Sequence, residues 1–491
     1  MVGAYRLPSS VIAIGALLAL LAADVVAGAG QAEPMAAALL AVALLIWITR
    51  LARSWTALVA VIGLVALLIP SDGRYVLPHG LPFQLEPYRV VLGLLIIGWL
   101  ISLLVDPRVR ARATGFEGPL IAIVGATLAS DLVNPGRVGS VSSFVVKALW
   151  LFALLVLFLY LVVSVLSTRA AVERVIAVLV SGASFVGFAA VVQRETTFNV
   201  FNHLHFILPV FDYIPAAAVG AVERDGALRA TASAGDPIEL AATMAMLMPL
   251  AVYLAISRRQ RIWWVALVLL VLGDFAGGSR TGVIGLVVAV AVFLWLRPRQ
   301  TIRFWPALIP LAVVVHVAAP GALGGIVGGF FPKGGVVAQQ SETFVAAGGK
   351  VEYSNRLSRI GPELHEFSAY DPLLGQGYGT RITGRAEIAD NAIILDDQWL
   401  GTLLETGLLG VLGWTWLFAR AIRRLAIRAK LEGDAREGWL PVALAASLAT
   451  FATAMFFYDA FSFIQGTFVA FTLLALSAVV LRLPARVTSA S

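Results

Sequence analysis

No cysteine occurs in the 491 residues, which excludes disulfides, thiol nucleophiles and thiolate metal sites. Charge is scarce as well: Asp, Glu, Lys and Arg together make up 13% of the chain, against about 25% in ordinary soluble domains. The five histidines, His79, His203, His205, His316 and His365, form no HExxH or other compact ligand pattern, so neither a zinc site nor any other metal is expected. What is abundant is apolar. Hydrophobic residues reach 59% and the mean hydropathy is +0.89, in runs that repeatedly attain the roughly 20 residues needed to span a bilayer. The composition predicts an all-α polytopic membrane protein, with the bilayer as its solvent.

About 14 transmembrane helices (12–14) are expected, centred near residues 20, 42, 62, 96, 124, 156, 182, 246, 268, 288, 311, 407, 448 and 472. The excess of basic residues is a topology signal, not a nucleic-acid footprint. With both termini cytoplasmic, 22 of the 36 Lys and Arg residues fall on the cytoplasmic side. Outside two long loops only five, Arg74, Arg89, Arg137, Lys147 and Arg280, fall on the other. The first apolar run is read as a retained helix, not a cleaved signal, because the next span follows closely. Asp24, Asp131 and Lys147, near external span ends, are read as solvated interfacial residues. Three regions are expected. Residues 1–319 form a bundle of about eleven helices with an external loop at 194–235, 320–395 a large external loop, and 396–491 the last three helices.

Polar detail concentrates at the external helix ends. Asp236, Pro237 and Glu239 form a D-P-x-E helix start, with Asp as N-cap, Pro at the first position and Glu folding back on the cap. Arg229, seven residues earlier, has no such local role, and a guanidinium there suits a two-pronged hold on phosphate. The short turn GDFAGGSRTG, residues 273–282, puts Arg280 at a helix mouth, where it pairs with Asp274, reaches lipid headgroups or faces an anionic substrate. In the second long loop, nine of the 29 residues from Gly321 to Gly349 are glycine, which reads as flexible. Beyond it Leu357, Ile360, Leu364 and Phe367 recur at helical spacing, with Arg356 and Arg359 on other faces of an amphipathic helix. The turn PLLGQGYG, residues 372–379, precedes ADNAIILDDQWLGTLLETGLLGVLGW, residues 389–414. If that last stretch is one helix, Asp396, Leu400, Leu403, Gly407 and Gly410 lie within about 40° of one face. Glu405 then sits on the opposite side, roughly 13 Å deeper.

In PLLGQGYG, in D-D-x9-G-x-x-G from Asp396 to Gly410, in GSRTG around Arg280 and in RATASAGDPIELA from Arg229, the chain resembles the O-antigen ligase and polymerase superfamily. These are GT-C-type membrane glycosyltransferases. The large loop placed before the last helices fits too, and the resemblance covers the chain from about residue 220. Where the ligase pattern opens on His followed by Asn, Ser or Gln, this chain has Asp396 and Asp397.

The resemblance implies transfer or polymerisation of a glycan from an undecaprenyl-diphosphate-type donor on the external face of a bacterial inner membrane. It implies catalytic roles for Asp396, Arg280 and Arg229, and substrate contacts from Asp397, Arg356, Arg359, Trp399 and Tyr378. No cofactor is expected. Partners would be the lipid-linked donor, a glycan or glycolipid acceptor, membrane lipids and other envelope polysaccharide assembly proteins, with no nucleic acid. The residues support that chemistry directly: fixed guanidiniums neutralise a departing diphosphate, and a carboxylate takes the acceptor proton, with inversion and no covalent intermediate. The alternatives are a secondary transporter of a polar or anionic solute and a structural scaffold.

Overall fold

The computed structural model describes residues 54–76, 86–106, 109–208, 211–215, 222–224, 227–318, 343–346, 349–352, 370–381, 396–433 and 438–485. The chain divides into two compact units, 1–61 and 62–491. Twelve helices of ten or more residues are described: α1 (Trp55–Leu68), α2 (Pro87–Val105), α3 (Glu117–Val133), α4 (Ser142–Val165), α5 (Arg169–Thr196), α6 (Pro237–Arg258), α7 (Arg261–Gly277), α8 (Arg280–Leu296), α9 (Leu308–Ala318), α10 (Gln398–Glu432), α11 (Trp439–Ala454) and α12 (Ile464–Arg482). Each coincides with a span centre expected from hydropathy, and the two earliest centres lie outside the described residues. By length and composition α2, α4, α5, α6, α10 and α12 can cross a membrane, and α1, α8 and α11 are shorter apolar helices. The molecule is a multi-pass membrane protein. Among the described residues, strands are confined to three short antiparallel pairs, Tyr75–Val76 with Asp212–Tyr213, Val222–Arg224 with Ala227–Arg229, and Thr343–Ala346 with Gly349–Glu352.

The core forms around α6 and α12, whose apolar windows are 83% and 89% buried, whereas α2, at 28%, faces outward. Helix α6 packs on α5, α7, α8, α11 and α12, while α10 lies between α3 and α11. Association in lipid cannot rely on the hydrophobic effect, so close backbone approach matters. Gly187 of α5 and Gly273 of α7 supply it: a Cβ on Gly187 would enter the Leu269 carbonyl, and one on Gly273 would meet Gly187.

The helix ends gather into two sets. At one end, Ser233 and Gln465 reach the Leu67 carbonyl at the end of α1 (2.6 and 2.7 Å), and Gln193 at the end of α5 accepts the Ala232 amide (2.6 Å). Helix α6 starts there at the D-P-x-E pattern, with Asp236 as N-cap as expected and Glu239 reaching one residue past the cap, to Gly235. Asp236 accepts the Ile238 amide (2.6 Å), and Glu239 accepts Gly235 (2.8 Å). The other Glu239 oxygen accepts the Gly466 amide at the start of α12 (3.1 Å), so the capping acid also joins two helices.

The opposite end is rich in arginine, and several of its arginines bind main-chain carbonyls, two of them carbonyls that helix ends leave unpaired. Arg482 takes Val163 and Leu166 at the end of α4 (2.8 and 2.9 Å), and Arg297 takes Ala429 and Gly433 at the end of α10 (2.6 and 2.5 Å). Arg420 and Arg424 share the Gly115 carbonyl (2.9 and 3.1 Å) ahead of α3.

Candidate functional site

The expected single stripe from Asp396 to Gly410 is not formed. Helix α10 begins at Gln398, and inside it Gly407 adopts φ 64° and ψ −166°, a conformation only glycine takes without strain, so the helix is broken there. Asp396 precedes the helix with φ 50° and does not crown its face. A break strands carbonyls on one side and amides on the other, which is tolerable at membrane depth only where protein satisfies them.

The PLLGQGYG turn does so. Gln376 and Gly377 donate to the Leu404 and Glu405 carbonyls (2.8 and 3.2 Å), while Leu408 and Leu409 donate to Pro372 and Leu373 (3.0 and 3.1 Å). Helix α3 clamps the turn from outside. Ser130 donates to the Glu405 carbonyl (2.6 Å) and accepts Gly377 (3.0 Å), Asp131 accepts the Tyr378 amide (2.6 Å), and Asn134 donates to the Gly375 carbonyl (2.9 Å). Asp131 is therefore a turn anchor, not a solvated interfacial residue.

Beyond the turn, Arg381 is pinned in a buried network. Its guanidinium donates to Asp459 (2.9 Å) and lies 3.9 Å from Glu405. Gln398 braces the same region, donating its amide to the Met455 carbonyl (2.7 Å) and accepting Phe461 on its side chain (2.8 Å).

These groups border a cavity of about 420 Å³. Its wall brings together Arg381, Arg89 and Lys147, the acids Asp72, Glu86 and Glu405, and the rings of Tyr378, Phe461 and Phe144. Glu405, Tyr378, Gln398 and Phe461 also line a smaller hollow beneath it. Four of these charged wall groups are already engaged: Asp72 with buried Arg74 (2.8 Å), Arg89 with Glu86 (3.7 Å), and Arg381 with Asp459. Lys147 is exposed, lies over the Phe144 ring, and has no carboxylate partner among the described residues. Burial pushes the Glu86 carboxyl up to about 7, with Arg89 opposing and Asp72 assisting. Burial also pushes the Tyr378 hydroxyl up, leaving it a neutral donor at the cavity wall.

A second group of cations lies at the same end. Arg229 donates to the Gly277 carbonyl (3.0 Å), Arg194 to Ala276 (3.4 Å), and Arg280 opens α8 immediately afterwards. A cation in the first turn of a helix opposes the helix dipole, so helix stability does not account for Arg280. The alternative pairing with Asp274 is not formed: that carboxyl is buried against Gly282 and has no hydrogen-bond partner among the described residues. None of Arg194, Arg229 and Arg280 is a wall residue of the cavity; the backbone beside them packs toward it, with Gly277 on Pro237 and Gly235 on the cavity residue Asp72.

Of the residues singled out from sequence, Tyr378 lines the cavity, and Arg229 lies against the turn that leads into Arg280. Asp397 is the N-cap of α10, accepting the Leu400 amide (3.1 Å). Trp399 donates its indole N–H to the Ala452 carbonyl (2.9 Å) and packs against Phe418 and Phe456. Neither is a wall residue of the cavity. Arg356 and Arg359, their amphipathic helix and Asp24 lie outside the described residues. Sequence reasoning missed Arg381, Asp459, Glu86 and Arg89, and it took Lys147 for a solvated interfacial residue. The one available signal was that Arg89 and Lys147 are among the few cations excluded from the arginine-rich side.

Residues 265–415 match the family model described as O-antigen ligase. The match supports membership of the O-antigen ligase/polymerase superfamily. It runs from α7 to just beyond the break in α10, and so takes in Arg280, Tyr378, Arg381, Asp396, Gln398 and Glu405 but not Arg229, Arg89 or Lys147. No curated protein matches the chain. An O-antigen ligase-type enzyme acts on lipid-linked glycans, which accords with a charged, ring-lined cavity in a multi-pass membrane protein.

Proposed function

We propose that the protein is an inverting glycosyltransferase of a bacterial inner membrane, acting on its external face upon a polyprenyl-diphosphate-linked glycan. The observation that carries this reading is the cavity of about 420 Å³, bordered by cations, acids and aromatic rings at the end of the bundle away from the arginine-rich set. In this reading Arg280 and Arg229 hold the diphosphate. The acceptor hydroxyl oxygen attacks the anomeric carbon, the bond from that carbon to the diphosphate oxygen breaks, and its electron pair leaves with the diphosphate. A carboxylate takes the hydroxyl proton. Fixed cations lower the barrier because they are already oriented toward the charge that develops.

Asp396 is proposed as the base from its place at the motif opening. A second assignment rests on a separate observation: Glu405, not Asp396, lines the cavity beside Arg381. Comparing Asp396→Asn with Glu405→Gln in pH–rate profiles decides between them, since only loss of the true base removes the acidic limb. The transporter alternative is disfavoured by the break in α10. In carriers, broken helices leave backbone groups for ions, whereas here the 372–377 turn takes them.

The decisive test is transfer by purified protein from a lipid-diphosphate glycan. Product is expected from wild type and a drop of at least about 100-fold from Arg280→Ala, on the scale of a lost transition-state donor. Unchanged turnover in Arg280→Ala would remove the proposal. The Asp-Asp opening favours polymerase over ligase chemistry. In a strain lacking the protein, accumulated lipid-linked single units would indicate a polymerase, and finished unattached polymer a ligase.

A further inference from the structure

At the arginine-rich end a second cavity of about 220 Å³ lies between the start of α5 and the ends of α10 and α12, far along the bundle from the site above. Its wall is two-sided: the side chains of Arg169 and Arg428 form one part, and Val480, Leu483, Pro484 and Ala485 the other. The two guanidiniums are bridged by one carboxylate, and Arg169 also meets a second. Glu432, 1% exposed, receives Arg428 Nε at 2.7 Å on one oxygen and Arg169 Nη1 at 3.1 Å on the other. Arg428 is oriented further by donation from Nη2 to the Pro484 carbonyl (2.5 Å), and its Nη1 makes no hydrogen bond among the described residues. Glu173, 3.3 Å from Arg169, is shared with the Tyr253 hydroxyl (2.6 Å).

The surroundings keep this end positive. Arg482, Arg297, Arg420 and Arg424 are bonded to main-chain carbonyls, which leave their charge uncancelled. A pre-oriented guanidinium pair presents the planar fork that matches phosphate oxygens, and the aliphatic wall beside it suits a hydrocarbon stem. From this pairing of walls we infer that the cavity binds a phosphate-bearing anion, supplied by an anionic phospholipid whose headgroup meets Arg428 and Arg169 and whose glycerol and acyl stem lies along Val480 and Leu483.

The test uses the full chain purified in mild detergent, with thermal unfolding followed after adding phosphatidylglycerol, phosphatidylcholine or inorganic phosphate. Phosphatidylglycerol is expected to raise the midpoint by about 2–4 °C, as a ligand bound to the folded state must, and phosphatidylcholine is not. Leu483→Trp fills the cavity while leaving both arginines and Glu432 in place. Its unliganded midpoint should stay near wild type and its phosphatidylglycerol shift should vanish, with Ala485→Trp as a second way of closing the space if the first fails to fold. Arg428→Lys, which keeps the charge but loses the fork, should at least halve the shift. Inorganic phosphate matching phosphatidylglycerol in wild type but not in Leu483→Trp would uphold the anion site and name free phosphate as its source. Equal shifts with both lipids, or a full phosphatidylglycerol shift in the filled variants, would overturn the inference.

Discussion

Buried charge in this protein is handled in two ways, and each predicts a different response to substitution. Arg482 and Arg297 close helix termini by binding main-chain carbonyls, whereas Arg169, Arg428 and Arg381 meet carboxylates. Arg381 is of the second kind, 5% exposed at its side chain between Asp459 and Glu405. Arg381→Gln should cost about 3–5 kcal/mol, because two acids lose their cation inside the protein. The double variant with Asp459→Asn should recover part of the loss in a chemical-unfolding comparison. Glu86 carries a pH signature. Its folded value of about 7 exceeds its ordinary 4.5, so between those values the folded state holds a proton that the unfolded chain releases. The associated stability is present in full below pH 4.5 and is lost as pH rises through 7, a change of up to about 3 kcal/mol. The difference in unfolding midpoint between wild type and Glu86→Gln should shift with pH across that window and level off above it. Sequence could not reveal this environment, since Glu86 reads as one acid ahead of an apolar run and its neighbour Asp72 comes from another connection.

At the scale of elements the break in α10 decides where the site is. Gly407→Ala is expected to be disruptive for two reasons: its φ of 64° disfavours any side chain, and the added Cβ would enter the Leu373 carbonyl that caps the break. Strain of about 1–3 kcal/mol adds to the loss of the docked turn. Hydrogen exchange at Gln376, Gly377, Leu408 and Leu409 should accelerate together while amides of α6 keep their protection. Gly410→Ala is expected to be milder, because its Cβ meets mainly the Thr406 side chain of the same helix. The elements themselves were legible: hydropathy located α1 to α12, and D-P-x-E located the start of α6. The break was not, because DDQWLGTLLETGLLG has unbroken helical periodicity and what interrupts it is a turn some thirty residues earlier in the chain. Helical periodicity reports which faces are apolar. It does not report a backbone that leaves the helix to trade hydrogen bonds with another segment. The same blindness placed Asp396 on a helical face, when it stands before the N-cap.

For the whole molecule, the proposal puts the two sets of helix ends on opposite sides of a membrane, and its chemistry requires the cavity end to face outward. The positive-inside rule assigns the arginine-rich end inward, and the carbonyl-capping role of Arg482, Arg297, Arg420 and Arg424 explains how that charge is accommodated without weakening the helices. The absence of cysteine makes the orientation directly measurable, because a single introduced thiol is read against no background. Ser140, exposed beside the turn-clamping end of α3, and Arg299, exposed just beyond α8, mark the two ends. In intact cells a membrane-impermeant maleimide should label Ser140→Cys and not Arg299→Cys, and permeabilised cells should label both. The opposite pattern would put the cavity on the inner face, where nucleotide-sugar donors are available, and would remove the lipid-diphosphate donor from the proposal even if glycan transfer were retained.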